Sequence, residues 1–463
     1  MTTPESLTNT HSKSLINLLR GWPSTTLLPT QALSDAAQSV LADTSVAYPG
    51  LLYGPDEGHP PLRNTIAQWL TEFYKPSEAI TKERIAITGG ASQNLGGILQ
   101  VFTDPLYTRN VWIVAPAYML AFRVFVDNGF SGKMQAVPED EEGIDIEFLR
   151  REIEESEKKA QEHGNTEATT KPARPYAKYY KHIIYCVPTF ANPSSRTMSL
   201  ERRRSLVQLA RDFDALVVSD DVYDFLQWTS TISPAANEEF RTSAILPRLV
   251  DIDRTLSPAP AATDFGNTLS NGSFSKILAP GVRVGWAEGS AALAYGVSQL
   301  GTTCSGGAPS QLTSTYVERL LKQGVLDRHI RTRLQPAYAS RWRCLVGNVE
   351  RVLGPLGVKG PQSDREIVGG FFVWYTLPEG VLAEEFVKRC REEENVVVAP
   401  GSVFEVPGDD SISFERDMRL CFSWEDEDKM VEAVGRMRAV LEKMLKGEKQ
   451  TANMNDGEMK HFW

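Results

Sequence analysis

Gly272-Ser273-Phe274-Ser275-Lys276-Ile277-Leu278-Ala279-Pro280-Gly281-Val282-Arg283-Val284-Gly285-Trp286 places a lysine among small hydroxyl residues, seven positions ahead of an arginine. An amine so framed could act as a Schiff-base nucleophile beside a phosphate site. Taken alone, a lysine is ordinarily a solvated surface residue, so the stretch gains meaning only from its surroundings. Two other segments share its character. Ile85-Ala-Ile-Thr88 reads as a buried strand and runs into Gly89-Gly90-Ala91-Ser92, which opens a helix. Small residues there let backbone N–H groups approach an anion, and the helix N-terminus adds a favourable field. Val217-Val-Ser-Asp220-Asp221-Val-Tyr223 ends a second strand in carboxylates and a phenol. Each has a plain alternative by itself, a strand-to-helix turn for the first and a surface-loop acid pair for the second.

Working outward, residues 111–114, 182–187 and 215–219 also read as buried strands, and 92–102, 200–214 and 310–323 as helices. Such alternation makes an α/β fold with a mostly parallel sheet, whose ligands sit at the carboxyl ends of the strands. Later, helix (337–353), strand (370–377), helix (382–393), strand (418–423) and helix (425–445) describe a smaller α+β domain. Residues 154–178 read as a charged helix end running into a mobile loop, 255–271 as a Pro/Ala-rich loop, and 446–463 as a fraying tail.

Composition narrows the class. The 463 residues carry 49 Lys plus Arg against 59 Asp plus Glu, a net charge of −10. That balance argues against nucleic acid or an anionic membrane as partner. With 41% hydrophobic and 23% charged residues the chain is globular, long enough for two or three domains at about 150 residues each. No apolar run approaches the roughly 20 residues of a membrane helix, and residues 1–13 lack the apolar core of a secretory signal. Five scattered cysteines without a C-x-x-C pair fit free thiols in a cytoplasmic compartment, and six scattered histidines offer no metal spacing.

Taken together, the segments resemble the fold type I, pyridoxal-phosphate-dependent aminotransferases of class I and II. The nearest branch holds aromatic, kynurenine and 2-aminoadipate aminotransferases. Ser273-Phe-Ser-Lys276-Ile-Leu-Ala-Pro-Gly-Val-Arg283-Val-Gly-Trp carries the strongest match. Val187-Pro-Thr-Phe-Ala-Asn192-Pro193, Asp220-Asp-Val-Tyr223, Ala115-Pro-Ala-Tyr118 and Tyr53-Gly54 with Leu62-Arg63 follow in the family's order. Gly369-Gly-Phe-Phe-Val-Trp374, Ala399-Pro-Gly-Ser-Val-Phe404 and Arg419-Leu-Cys-Phe-Ser423 extend the likeness, which spans about residues 16–441. Unrelated turns would not place all these groups in one order.

The resemblance implies a large domain over 46–325 with a mostly parallel seven-stranded sheet and a small C-terminal domain over 326–445. Residues 1–45 form an N-terminal arm and part of the small domain, and 446–463 a flexible tail. It makes Lys276 the internal aldimine lysine and general acid/base of a ping-pong transamination. Asp220 faces the pyridine nitrogen, so that the ring accepts carbanion electrons. Tyr223 and Asn192 hydrogen-bond the ring oxygen, and Tyr118 stacks on the ring. The phosphate rests on Gly90, Ala91 and Ser92, with Ser273, Ser275 and Arg283 around it. Tyr53 reaches the phosphate of the neighbouring subunit, which implies a homodimer with shared sites. Arg419 holds the substrate α-carboxylate by a planar fork, beside Asn192 and Gly21. Substrates are thus an amino acid and a 2-oxo acid; aromatic, kynurenine, 2-aminoadipate and branched-chain donors all remain open.

Two departures border the carboxylate pocket and a third lies near the amino end. Ser194-Ser195 follows Asn192-Pro193 where the family has Thr-Gly, and Cys421 stands where it often has Asn. Leu19-Arg20-Gly21-Trp22-Pro23 replaces a common Gly-Gly-Leu-Pro, so Arg20 either alters the side-chain pocket or, more commonly for arginine, is simply solvated. A lyase, decarboxylase or carbon–carbon bond-forming enzyme on the same scaffold is the alternative reaction, and intact Arg419 favours transamination. A non-catalytic effector-binding regulatory domain is the rival of another class. It is disfavoured by net charge and by a match that already begins near residue 16.

Overall fold

The computed structural model describes residues 13–230, 242–258, 264–360 and 365–448. Its central sheet has eight strands: β1 (Ile85–Thr88), β2 (Asn110–Ala115), β3 (Met134–Asp140), β4 (Gly143–Ile144), β5 (His182–Cys186), β6 (Ala215–Asp220), β7 (Thr268–Ser273) and β8 (Gly285–Glu288). Their spatial order is β1-β8-β7-β6-β5-β2-β3-β4. Strands β7, β6, β5, β2 and β3 run parallel, while β8 lies antiparallel between β1 and β7. Seven strands make the body of the sheet, as the sequence implied. The two-residue β4 adds an eighth by folding back on β3.

The strands are apolar on both faces because helices cover both. Ile183, Tyr185, Leu216 and Val218 pack with Leu95, Ile98 and Phe102 of the helix Ala91–Phe102. Their sequence neighbours Ile184, Cys186, Ala215 and Val217 turn the other way, onto Leu206, Val207 and Ala210 of the helix Leu200–Asp212. That is the period of two expected of a strand buried between layers.

A smaller antiparallel sheet orders Phe372–Thr376, Asp417–Cys421 and Ala399–Pro400, with Asp417–Cys421 in the middle. The helices Gln335–Val352, Ala383–Glu394 and Glu427–Leu445 accompany it. Ile16–Asn17 pairs in parallel with Val396–Val397, which stitches the N-terminal segment to this part of the molecule. Among the described residues no helix is long and apolar enough to cross a membrane.

The helices and strands read from sequence lie within two residues of their expected ends. One expectation is corrected. Beyond the helix Ile146–Glu162 the charged stretch is not left loose but is fastened to the body. Asp104 accepts the Thr170 and Lys171 N–H groups at 2.8 Å each, and Lys171 Nζ donates to Gln100 O at 2.7 Å and Thr103 O at 2.6 Å. The loop expected over 255–271 ends earlier, where β7 begins at Thr268. Its residues 259–263, and 449–463 of the expected tail, lie outside the described residues.

Leu216 stands fully buried in β6 with the sheet on either side. Leu216→Ala leaves a cavity in packed surroundings and should cost about 2–5 kcal/mol, read as a lower urea midpoint for unfolding.

Candidate active site

The carboxyl ends of β1, β2, β5, β6 and β7 share one edge of the sheet, and β8, running the other way, begins there. Each strand hands one group to that edge. After β1 the helix Ala91–Phe102 starts at once, so its free N–H groups face the edge. Gly90, just before it, has φ +101°, and a Cβ there would lie 2.8 Å from Arg283 Nη2. The backbone demands glycine, and a side chain there would displace Arg283. Arg283 closes this cradle by donating to Gly89 O at 2.5 Å and Pro280 O at 2.9 Å. At the end of β7, Ser273 Oγ donates to Ser275 Oγ at 2.9 Å and accepts the Ser275 N–H at 3.1 Å.

Lys276 follows on the turn, its Nζ donating to Gly21 O at 2.7 Å. Burial pushes this amine down to about 8, and nearby Arg419 pushes it the same way. Asp220 ends β6. Its Oδ2 accepts the Tyr185 hydroxyl at 2.9 Å, while Oδ1 is buried without a partner. Burial raises Asp220 to about 7, against the pull of Tyr185 and Lys276. Asp221 turns away from this edge, its Oδ2 accepting from Ser219 Oγ at 3.0 Å and Ser270 Oγ at 2.5 Å. Tyr118, beyond the end of β2, has its phenol pushed up to about 12 by burial, with Asp220 adding to the shift.

Arg419 comes from the middle strand of the smaller sheet and is 2% exposed. Its Nη1 donates to Asn192 Oδ1 at 2.7 Å and its Nη2 to Leu19 O at 2.6 Å. The guanidinium lies 4.0 Å over the Phe372 ring and 4.8 Å from that of Phe404. Nε is buried and unpaired.

These groups line one cavity of about 520 Å³. Of the residues singled out from sequence, Gly21, Ala91, Ser92, Tyr118, Asn192, Asp220, Tyr223, Ser273, Ser275, Lys276, Arg283 and Arg419 are on its wall. Gly90 sits behind Arg283. Tyr53 is not brought together with them: it is 89% exposed and stands beside Gly306. Arg20, commonly a solvated type, lines the cavity with its guanidinium carbon 4.8 Å from the Trp22 ring and 4.9 Å from that of Trp424. Sequence reasoning missed Tyr185, Phe372 and Phe404. A tyrosine inside the wholly buried β5 was the one signal available for Tyr185.

The chemistry of the donor set fits a phosphorylated pyridine aldehyde. A helix start, Ser273 and Arg283 suit its phosphate. The unpaired Asp220 Oδ1 suits a ring N–H, and the Lys276 amine suits its aldehyde carbon. The sheet is that of a fold type I transferase. The family model described as aminotransferase class I and II matches residues 16–437, and the chain belongs to that family.

An uncharacterised protein of Saccharomyces cerevisiae is 37% identical over 91% of this chain and 96% of its own length. An aromatic-amino-acid aminotransferase of Thermococcus litoralis is 27% identical over 94% of this chain and 90% of its own. The crystal structure of the α-aminoadipate aminotransferase of Thermus thermophilus, complexed with N-(5'-phosphopyridoxyl)-L-leucine, superposes with a TM-score of 0.70 at 26% identity, covering 93% of both chains. The protein is therefore a pyridoxal-phosphate-dependent aminotransferase that moves an amino group from an α-amino acid to a 2-oxo acid.

Gly90→Ala forces a side chain into a backbone region held almost only by glycine, at about 1–3 kcal/mol, and drives it against Arg283. The variant should release pyridoxal phosphate faster on dialysis than the parent, followed by loss of cofactor absorbance.

Proposed function

We propose that Lys276 is the residue that binds the cofactor covalently and moves the substrate α-proton, with Asp220 on the ring nitrogen and Arg419 on the α-carboxylate. The observation carrying this reading is the unpaired, buried Asp220 Oδ1 in one cavity with the Lys276 amine. Pyridoxal phosphate, when bound, supplies a protonated ring that accepts the electrons released as the α-proton leaves. A ring N–H donating to Oδ1 would keep Asp220 ionised where burial, opposed by Tyr185 and Lys276, raises it to about 7. Lys276, held down near 8, offers a neutral amine close to physiological pH, the form that takes a proton. Its bond to Gly21 O fixes where that amine waits.

Arg419 is aligned before substrate arrives. Two of its five N–H donors are spent on Asn192 and Leu19, and the stacked Phe372 ring fixes its plane. The rest, Nε among them, are left for a carboxylate fork. Tyr223 and Asn192 serve the ring oxygen, Tyr118 the ring face, and Ala91, Ser92, Ser273, Ser275 and Arg283 the phosphate. Residues 46–325 form the cofactor-bearing domain, and 1–45 with 326–445 the part that brings Arg419.

The working unit in this reading is a homodimer. Tyr48, Leu51, Leu52 and Tyr53 form an exposed apolar run on and after the helix Thr44–Leu51, a surface suited to burial against a second copy. Tyr53 then serves the phosphate of the partner's site. Five free cysteines fit a reducing cytoplasm.

Asp220→Asn should lower kcat by orders of magnitude while Asp221→Asn is milder, measured with a panel of amino donors against 2-oxoglutarate and pyruvate. The reverse ranking would overturn the assignment. Arg419→Lys keeps the charge and loses the fork. It should cost about 1.5–3 kcal/mol in kcat/KM in both half-reactions, with cofactor content unchanged by absorbance.

A further inference from the structure

A second cavity, of about 400 Å³, shares no lining residue with the active site, and none of the chemistry above uses it. One wall comes from the turn after β3 and the loop after β5, through Glu141, Ser194, Ser195 and Arg196. The other comes from the smaller part of the molecule, through Trp342, Lys359, Arg365 and Trp374. Both walls run on from the active site. Ser194 lies two residues beyond Asn192, which holds Arg419, and Trp374 stands opposite Arg419 in the register of the small sheet.

Three cations face this cavity against one carboxylate, Glu141. Arg196 is already answered, by Glu141 at 2.9 Å and by the buried Glu139 at 3.4 Å. Asp417, behind Thr376 on the wall, is engaged by the Thr376 hydroxyl at 2.5 Å. Among the described residues Lys359 and Arg365 enter no ion pair, and the side chain of Arg365 donates to Glu141 O at 2.6 Å. Two cations are thus left over on one wall. The backbone of Lys359 is fixed by a pair of bonds with Thr376, at 2.9 and 2.8 Å.

The opposite wall supplies hydroxyls. Ser194 is 5% exposed and its Oγ makes no hydrogen bond, although the Glu139 carboxylate lies close enough to feel it. Ser195 holds φ at +58°, a conformation that glycine adopts without cost. A serine kept there gives up some backbone ease and places a hydroxyl on the cavity wall. Two indole rings, two surplus positive charges and two hydroxyls suit a ligand with a flat apolar body and a doubly charged head. A phosphate monoester carries nearly two negative charges at neutral pH and three acceptor oxygens.

We propose that this cavity is a second ligand site, for a small aromatic phosphate monoester gripped by Lys359, Arg365 and Ser195 and bridging the two parts of the molecule. It does not depend on the roles given to Lys276, Asp220 or Arg419.

The test is calorimetry on the holoenzyme, with its cofactor site filled. Phenyl phosphate should bind more tightly than inorganic phosphate, which lacks the ring, and than phenol, which lacks the charge. Replacing both cations, Lys359→Gln with Arg365→Gln, should weaken phenyl phosphate about ten- to a hundredfold, the worth of a charge-assisted hydrogen bond. Ser195→Gly relaxes the backbone and removes the hydroxyl, so it should weaken the probe without lowering Tm. Arg419→Lys should leave the affinity as it was. The proposal is overturned if the parent binds phenyl phosphate no better than inorganic phosphate or phenol. It is equally overturned if either cavity variant binds like the parent, or if affinity falls with Arg419→Lys, which would put the probe in the active site.

Discussion

Burying Lys276, Arg419 and Asp220 around one cavity is the constraint to which the rest of the structure answers. Isolated charges resist burial strongly unless they are hydrogen-bonded or neutralised. Here the answer is mostly backbone: Leu19 O takes one cation and Gly21 O another, while Tyr185 covers one oxygen of Asp220. The carbonyls come from a short N-terminal segment pinned to Val396–Val397, and the buried groups from three different strands or turns. Distant parts of the chain must therefore meet before any of these charges is satisfied. What remains open among these groups, Asp220 Oδ1 and Arg419 Nε, are the atoms that the proposed function uses.

Behind Asp220 the same problem recurs with a different solution. Asp224 accepts the Tyr74 hydroxyl at 2.9 Å, and Arg248 lies 3.8 Å over that Tyr74 ring. Arg248 also bonds Asp251 at 3.0 Å and Glu288 of β8 at 2.6 Å. Removing one member of such a network leaves an uncompensated buried charge, at about 3–5 kcal/mol. This scaffold of charge lies beside the turn that carries Asp220 to Tyr223 and holds it against the sheet.

Much of the site was legible in the sequence because its chemistry needs particular residue types at fixed spacings. Lys276 with Arg283, Asp220 with Tyr223, and the glycines before Ala91 all reach one edge. Strand β7 was harder to read. Thr268-Leu-Ser-Asn-Gly-Ser273 is wholly buried yet largely polar, so it lacks the apolar run that marks a central strand. Its polarity is paid for locally: Asn271 bonds Asn94 at 2.8 Å and Ala91 O at 3.0 Å, and Ser270 bonds Asp221. Those partners lie far off in sequence, where no local pattern could reveal them. The same holds for Arg20, whose meaning depends on Trp424 some four hundred residues away.

The helix Ala91–Phe102 has its end groups engaged at one pole and open at the other. Its negative C-terminal end is met by Lys171, whose ammonium takes the Gln100 and Thr103 carbonyls. Its positive end is the cradle beside Gly90 and Arg283, and phosphate is its counterpart. The fastened loop is thus a permanent plug at one end, and in the proposed function the cofactor would be a removable one at the other. A ligand that engages only the folded chain stabilises it by RT ln(1 + L/Kd), which grows with its free concentration L. A bound cofactor would accordingly slow attack by any protease that cuts only the unfolded chain.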